Sequence, residues 1–349
     1  MDGLGLRRGR TVIVAPEPSD WLEPVRTAAL ALGHTVTVIA PWRRPGYSVV
    51  RAARRLYVRS AADRRIRAQL AIRATTDHLA ARTLPAADIV VAPSLAAKRV
   101  FARARREGMR TLLVSDIPHL GRLHQDLDTA VRLHPESRLL RRFRASRRSC
   151  DQDASERALA DCILVRGRYA EHAVRSGQLS WPLALEPAGR AITGQRSSGQ
   201  SSSGRNSRLL LAGLATARSG TYEALELLEQ IPSLRLSIRV GDGAEPRELA
   251  NHARVDTRRS VDEYAVCGVV APGLCESYPP EVRLGAWANL PVIATAAVSG
   301  FVEGVYTVPV GDTESLVRAT RRLLSGEVNP ARVTIPPPLV GAFERLMDG

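Results

Sequence analysis

The chain has 349 residues, enough for about two domains at roughly 150 residues each, and 44% of them are apolar. No apolar run approaches the roughly 20 residues that span a bilayer. The four cysteines (Cys150, Cys162, Cys267, Cys275) show neither CxxC pairing nor metal-ligand spacing, so a reduced, cytosolic protein is expected. The formal net charge of +15 favours anionic partners: a membrane surface or phosphorylated ligands. Nucleic acid is not expected, because no recognised binding motif accompanies the charge and aromatics, at 4%, are too few to interleave with it. Lys98 is the only lysine, and the arginine and alanine bias is that of a GC-rich bacterial coding sequence.

In chain order, two arginines precede TVIVAP (11–16), too short for a signal-peptide core and better read as a first strand. A helix over 21–32 closes at Gly33, where glycine accepts a left-handed end. HTVTVIAP (34–41) is the second strand, and ADIVVAPS (87–94), a helix ending near Gly108, and RTLLVSD (110–116) repeat the pattern. ERALADCILV (156–165) is a helix running into a strand, and YAEHAVRSG (169–177) is a further helix. Composition then collapses to Ser, Gly, Gln and Arg over 194–205, the signature of a flexible linker. After it the alternation restarts with RLLLAG (208–213), TYEALELLEQI (221–231), LRLSIRVG (234–241), VDEYAV (261–266) and GVVAP (268–272). YTVPVGD (306–312) and the helix ESLVRATRRLLSG (314–326) complete the second half, and a triple proline at 336–338 precedes a short last helix. The pattern predicts an α/β protein of two doubly wound, parallel-sheet, Rossmann-like domains facing a cleft. The first covers 1–193 and the second 206–330, joined by the linker; 331–349 packs near the domain junction.

The stretch CESYPPEVRLGAWANLPVIAT (275–295) places Glu276 directly after the apolar run VVAPGLC, a poor place for a core residue and a good one for a ligand contact. With it, LLLAGLATARSGTYEALELL, IRVGDG, VYTVPVGDTESLVRATRRLLSG and ERALADCILVRGRYAEHAVRSG follow one another in the order of the GT-B glycosyltransferases of the retaining family 4 type, which the sequence resembles over most of its length. The resemblance implies a nucleotide-sugar donor held by the second domain, an acceptor hydroxyl on the first, transfer with retention, and neither metal nor cofactor. Glu276 falls on the glutamate that holds the donor sugar, with Ser277 and Tyr278 beside it. Gly213 and Gly220 match the phosphate loop, and Gly241 ends the next strand. The match departs from the family pattern at five places, one of them the Gly-Gly usually found after the first strand, which is absent from PEPSDWLEP. Leu214 and Ser219 stand where the family has its arginine and lysine, Leu284 where it has a second glutamate, and Asn289 replaces a glycine. Arg218 is positioned to supply one of the missing charges, and Glu281, one turn before Leu284, either to reach a ribose or to stand as a solvated first-turn acid favoured by the helix dipole.

On the first domain, His119 resembles the family's active-site histidine, with Asp116 as the other polar residue at that strand end; the alternative is a loop histidine without a role. Asp126, Leu127 and Asp128 imitate a metal motif of another fold, and read here as a helix-start cluster. His34, His78, His124, His134, His172 and His252 show no partner at catalytic spacing. The arginine-rich segment from Arg51 to Ala74 is a helix that is either a solvated face or an anionic-lipid contact, which would place the protein on the inner face of the membrane. Two functions fit: a sugar transferase, its acceptor lipid-linked, a polysaccharide or a secondary metabolite, or a GT-B protein that has lost transfer chemistry and acts as a partner subunit.

Overall fold

A computed structural model describes residues 9–17, 19–40, 62–115, 119–165, 179–183, 193–194, 207–240, 246–258, 265–274, 279–296, 298, 302–333 and 338–348. The first half runs β1 (Arg10–Val14), α1 (Leu22–Ala31), β2 (Thr35–Ile39), α2 (Ala62–Thr83), β3 (Ile89–Pro93), α3 (Lys98–Arg106), β4 (Arg110–Ser115), α4 (Leu120–Leu133), α5 (Arg138–Arg142), α6 (Arg147–Leu159), β5 (Cys162–Val165) and β6 (Leu179–Pro182). Its six strands form one sheet in the order β2-β1-β3-β4-β5-β6, every neighbouring pair parallel. The second half begins with a short strand β7 (Thr193–Gly194). It continues through β8 (Arg208–Leu214), α7 (Thr221–Gln230), β9 (Arg235–Arg239), α8 (Arg247–Asn251), β10 (Val255–Arg258), β11 (Ala265–Val266) and β12 (Gly268–Ala271). Then come α9 (Pro280–Trp287), β13 (Val292–Thr295), β14 (Val302–Glu303), β15 (Tyr306–Val308), α10 (Thr313–Leu324), β16 (Arg332–Val333) and α11 (Val340–Asp348). Six of these strands make a second parallel sheet, β10-β9-β8-β12-β13-β15.

The central strands are apolar on both faces, as parallel strands in a sheet covered by helices on both sides are. β3 and β5 are buried at every position. Alternate residues feed opposite layers. Val12 and Val14 pack with Phe101 and Val100 of α3, whereas Ile13 between them packs with Trp21 and Val25. In the second sheet Leu209 and Leu211 face Leu227 and Leu228 of α7, and Leu210 faces Val282 and Leu284 of α9.

Several sequence expectations are refined. The last helix, α11, returns to the first domain, where Phe343 and Leu346 enter the core beside Trp21 and Val25. Gly341 is required there, since a Cβ would lie 2.8 Å from the Trp181 ring. The helix expected over 51–74 is seen as α2, which continues to Thr83; residues 51–61 and the side chains of 62–67 lie outside the described set. Arg73 belongs neither to a solvated face nor to a lipid contact. It is buried, paired with Glu17 at 2.7 Å and donating to the Ser94 carbonyl at 2.7 Å. Asp126 and Asp128 sit inside α4 rather than at its start. Asp126 accepts from Arg122 at 3.2 Å and Asp128 pairs with Arg144, while Leu127 between them is fully buried. The helix expected at 169–177 and the linker beyond Gly194 lie outside the described residues. Among the described residues no helix is long and apolar enough to cross a membrane.

Candidate functional site

In each sheet the strand order reverses at one point, between β1 and β3 in the first and between β8 and β12 in the second. Crevices beyond the carboxyl ends of such strands are where open α/β sheets take ligands. At the second reversal the chain leaves β8 through Gly213 and Leu214, makes a 3-10 turn at Ala217–Ser219, and enters α7 through Gly220. Gly213 and Gly220 have φ of 89° and 79°, a region where an L side chain is strained. Gly220 is also constrained by contact, because a Cβ would meet the Pro272 carbonyl oxygen at 2.5 Å. The two loops are stitched together, the Leu274 amide donating to the Arg218 carbonyl at 2.8 Å. The Thr295 hydroxyl, at the end of β13, donates to the Gly273 carbonyl at 2.7 Å and braces the β12 loop from behind.

Glu281, on the first turn of α9, is not the solvated acid of one expectation: it is fully buried. Its carboxylate accepts from the Gly213 amide at 3.0 Å and forms an ion pair with Arg239 at 2.8 Å. Arg239 ends β9 in register with Leu214. The sequence alone does not single it out, and only its place at the end of the strand after the Gly213–Gly220 turn could have pointed to it. Leu214 itself is 41% exposed, whereas Ser219 is fully buried, its hydroxyl 3.4 Å from that of Thr216. Asn289 takes φ of 56° at the end of α9, a left-handed end that asparagine tolerates better than most residues.

The first-domain rim is built from buried charge. His119 caps α4, its Nδ1 accepting from the Arg122 amide at 3.2 Å, and its Nε2 is 4.0 Å from Asp153. Asp153 accepts from the Leu120 amide at 3.0 Å and from Arg157 at 3.1 Å, and Arg157 donates to Ser115 at 2.9 Å. The β3–α3 turn passes through Leu95 at φ 64°. Glu156 holds it, accepting from the amides of Leu95, Ala97 and Lys98. Burial pushes the Glu156 carboxyl up to about 7, against the pull of those bonds and of Gln152.

The two domains meet over the turn between β8 and α7. Ala217 and Leu274 pack into an apolar cluster with Leu120, Leu123, Leu127 and Leu140 of the first domain. The Arg218 guanidinium lies 4.8 Å from the centre of the Phe143 ring. His134, given no partner by the sequence, stacks on Tyr222 at 4.5 Å and bonds Glu223 at 2.9 Å, with Glu136 at 3.5 Å. Burial opposes its charge, but the two glutamates outweigh burial and hold the imidazole above its ordinary pKa. His252 accepts from the nearby Arg254 amide, and three further histidines taken as partnerless also have partners: His34 with Thr11, His78 with Arg99, and His124 with the Ala145 amide. Apart from Arg254, these partners come from segments distant in sequence, so local spacing could not reveal them. Of the expected site residues, the structure brings Gly213, Arg218, Gly220 and Glu281 together, with His119 across the interface on the first domain; Asp116, Gly241, Glu276, Ser277 and Tyr278 lie outside the described residues. Among the described residues no group of three or more His, Cys, Asp or Glu side chains is placed to hold a metal.

No family model matches the chain, and no curated protein matches it. Solved structures do. An E. coli structure described as trehalose-6-phosphate bound with UDP-2-fluoro glucose aligns with a TM-score of 0.52 at 11% identity, over 97% of this chain and 94% of the other. A trehalose-6-phosphate synthase studied for glycosyl transfer with retention gives 0.51 at 11%, over 97% and 94%. The UDP-GlcNAc 2-epimerase of Methanocaldococcus jannaschii, in complex with UDP-GlcNAc and UDP, gives 0.50 at 9%, over 97% and 99%. The fold is GT-B. At such identities the likeness is one of architecture.

Proposed function

We propose that this protein transfers a sugar from a nucleotide-sugar donor to an acceptor hydroxyl with retention. The observation that carries the reading is the paired loop at the second sheet's reversal point. Two glycines with positive φ and a close backbone approach at Gly220 set the β8 turn against the β12 loop, at the N-terminus of the ten-residue helix α7. Backbone amides and the helix dipole at such a turn favour a diphosphate. In this reading Arg218 neutralises the leaving diphosphate, Gly213 and Gly220 allow it to approach the backbone, and Glu276 orients the sugar with Ser277 and Tyr278 beside it. Gly241 is the further donor-side residue of this reading. Glu281 acts through Gly213 and Arg239, and His119 and Asp116 line the acceptor side.

The competing reading, a GT-B partner subunit without transfer chemistry, is favoured by one observation. The positions of the family's arginine and lysine hold an exposed leucine and a fully buried serine. Calorimetry against a panel of nucleotide sugars, followed by turnover assays, separates the two. The transferase reading expects donor binding and a roughly 100-fold loss of turnover in Arg218→Ala, the scale of one preorganised charge donor. If no donor binds at millimolar concentration, the partner-subunit reading replaces it. Conversion of a nucleotide sugar without any acceptor would instead make the protein an epimerase.

A further inference from the structure

A cleft of about 850 Å³ opens on the first domain between α2, α3 and α6. Lys98 and Arg99 from the start of α3, and Arg147 and Arg148 from the start of α6, converge on it. Charge runs are ordinarily solvated faces of one helix. Here the cations come from two elements far apart in sequence and face one concavity, an arrangement that concentrates positive potential. Among the described residues no carboxylate side chain pairs with Lys98, Arg147 or Arg148. Two acids also line the cleft. Asp77 is buried and spends its carboxylate on the Arg99 and Val100 amides, and Asp151 is exposed. Because Asp77 and Glu156 already occupy the first amides of α3, an incoming anion must be held by side chains. Arg99 is fixed for this: its guanidinium donates to Nδ1 of His78 at 3.0 Å, which leaves the His78 Nε2–H as a further donor.

We propose that this cleft binds a phosphate-bearing ligand. Arginine guanidinium groups recognise phosphate by bidentate hydrogen bonds, and a cleft of this volume has room for an organic group beyond the phosphate. The ligand is therefore a phosphomonoester, either a diffusible metabolite or the headgroup of a phospholipid. The starts of α3 and α6 lie at the same end of the sheet as the strand carboxyl ends, since α3 follows β3 and α6 leads into β5. On the transferase reading the phosphate belongs to the acceptor, but the binding itself does not rest on that reading, and its probe contains no nucleotide.

The test is calorimetric titration of the full chain with sn-glycerol 3-phosphate, with glycerol as the uncharged control. A parallel arm measures co-sedimentation with phosphatidylcholine vesicles that contain phosphatidic acid. The paired variant Arg147→Gln/Arg148→Gln is expected to weaken binding by about tenfold or more, the scale of losing a charge-assisted hydrogen bond. Arg235→Gln/Arg247→Gln, which removes the same charge from exposed second-domain positions, is expected to leave binding unchanged. All four arginines are exposed, so an unaltered melting curve confirms that both variants fold. Cleft-dependent binding of the soluble ester assigns a diffusible ligand, and cleft-dependent binding to vesicles alone assigns a lipid headgroup. The proposal is overturned if neither probe binds, if glycerol binds equally, or if the cleft variant weakens binding no more than the control pair does. Donor calorimetry is unaffected by any of these results, so the two readings fail separately.

Discussion

Replacing Glu281 tests what the buried acid beside the β8–α7 turn is for. Its carboxylate ties three segments: the Gly213 amide at the end of β8, Arg239 at the end of β9, and the first turn of α9. Glu281→Ala removes the only acid paired with Arg239 among the described residues and leaves the Gly213 amide without its acceptor. Breaking a buried pair from one side costs about 3–5 kcal/mol, and the lower end applies because the Arg239 side chain is 20% exposed. At about 2–4 °C per kcal/mol for a domain of this size, the melting temperature should fall on the order of 10 °C. Glu281→Gln keeps an acceptor for Gly213 and should lose about half as much. The double variant Glu281→Leu/Arg239→Leu should melt above Glu281→Ala, since it strands no charge. Thermal melts of the four proteins, with donor calorimetry alongside, decide it. If Glu281→Ala melts with the wild type yet loses donor affinity, the carboxylate is a ligand contact such as a ribose, and the structural argument is wrong.

Two further tests follow. Gly220→Ala should destabilise by clearly more than Gly326→Ala: both residues have positive φ, worth about 1–2 kcal/mol for a side chain, but only at Gly220 would the new Cβ strike backbone, and equal melts would remove the argument for close loop contact. His134 has a folded pKa raised above its unfolded value near 6.5, so its stabilisation is complete below about pH 6.5 and is lost as pH rises through the folded pKa; wild type should lose more melting temperature between pH 6 and 8 than Glu223→Gln, and parallel profiles would refute the link.

Much of the architecture is legible in the sequence because it rests on local signals. IVVA at 89–92, CILV at 162–165 and GVVA at 268–271 are short apolar runs between helical patterns, and each proves to be a buried parallel strand. Gly33 ends its helix at φ 75°, and Asn289 ends α9 at φ 56°, as a left-handed cap requires. The site is less legible because its contacts are non-local. A period reports which face of a helix is apolar, not which neighbour covers it. Nothing near His134 announces Glu223, 89 residues away, and nothing in the last helix says that Phe343 returns to the first domain. Arg73 reads as one more arginine in a basic helix until Glu17 and the Ser94 carbonyl are seen around it.

The same loop that forms the phosphate-site candidate also joins the domains, so ligand binding and domain contact compete for or share its residues. Arg218 makes the competition measurable through its position over the Phe143 ring. A cation over an aromatic face gains about 0.5–2 kcal/mol. If Arg218 must leave that ring to meet a diphosphate, donor binding loses this amount, and Phe143→Leu should recover it while keeping the apolar cluster filled. Donor affinity would then rise by roughly two- to thirtyfold on the same energy scale. If Arg218 instead meets the donor while still on the ring, the ring positions it, and Phe143→Leu should lower donor affinity. Calorimetry of wild type, Phe143→Leu, Arg218→Ala and the double variant distinguishes these cases. The expected result is a rise that disappears in the Arg218→Ala background. A rise that persists without Arg218 would mean that the ring blocks the site sterically, and an unchanged affinity would remove Arg218 from the donor site altogether.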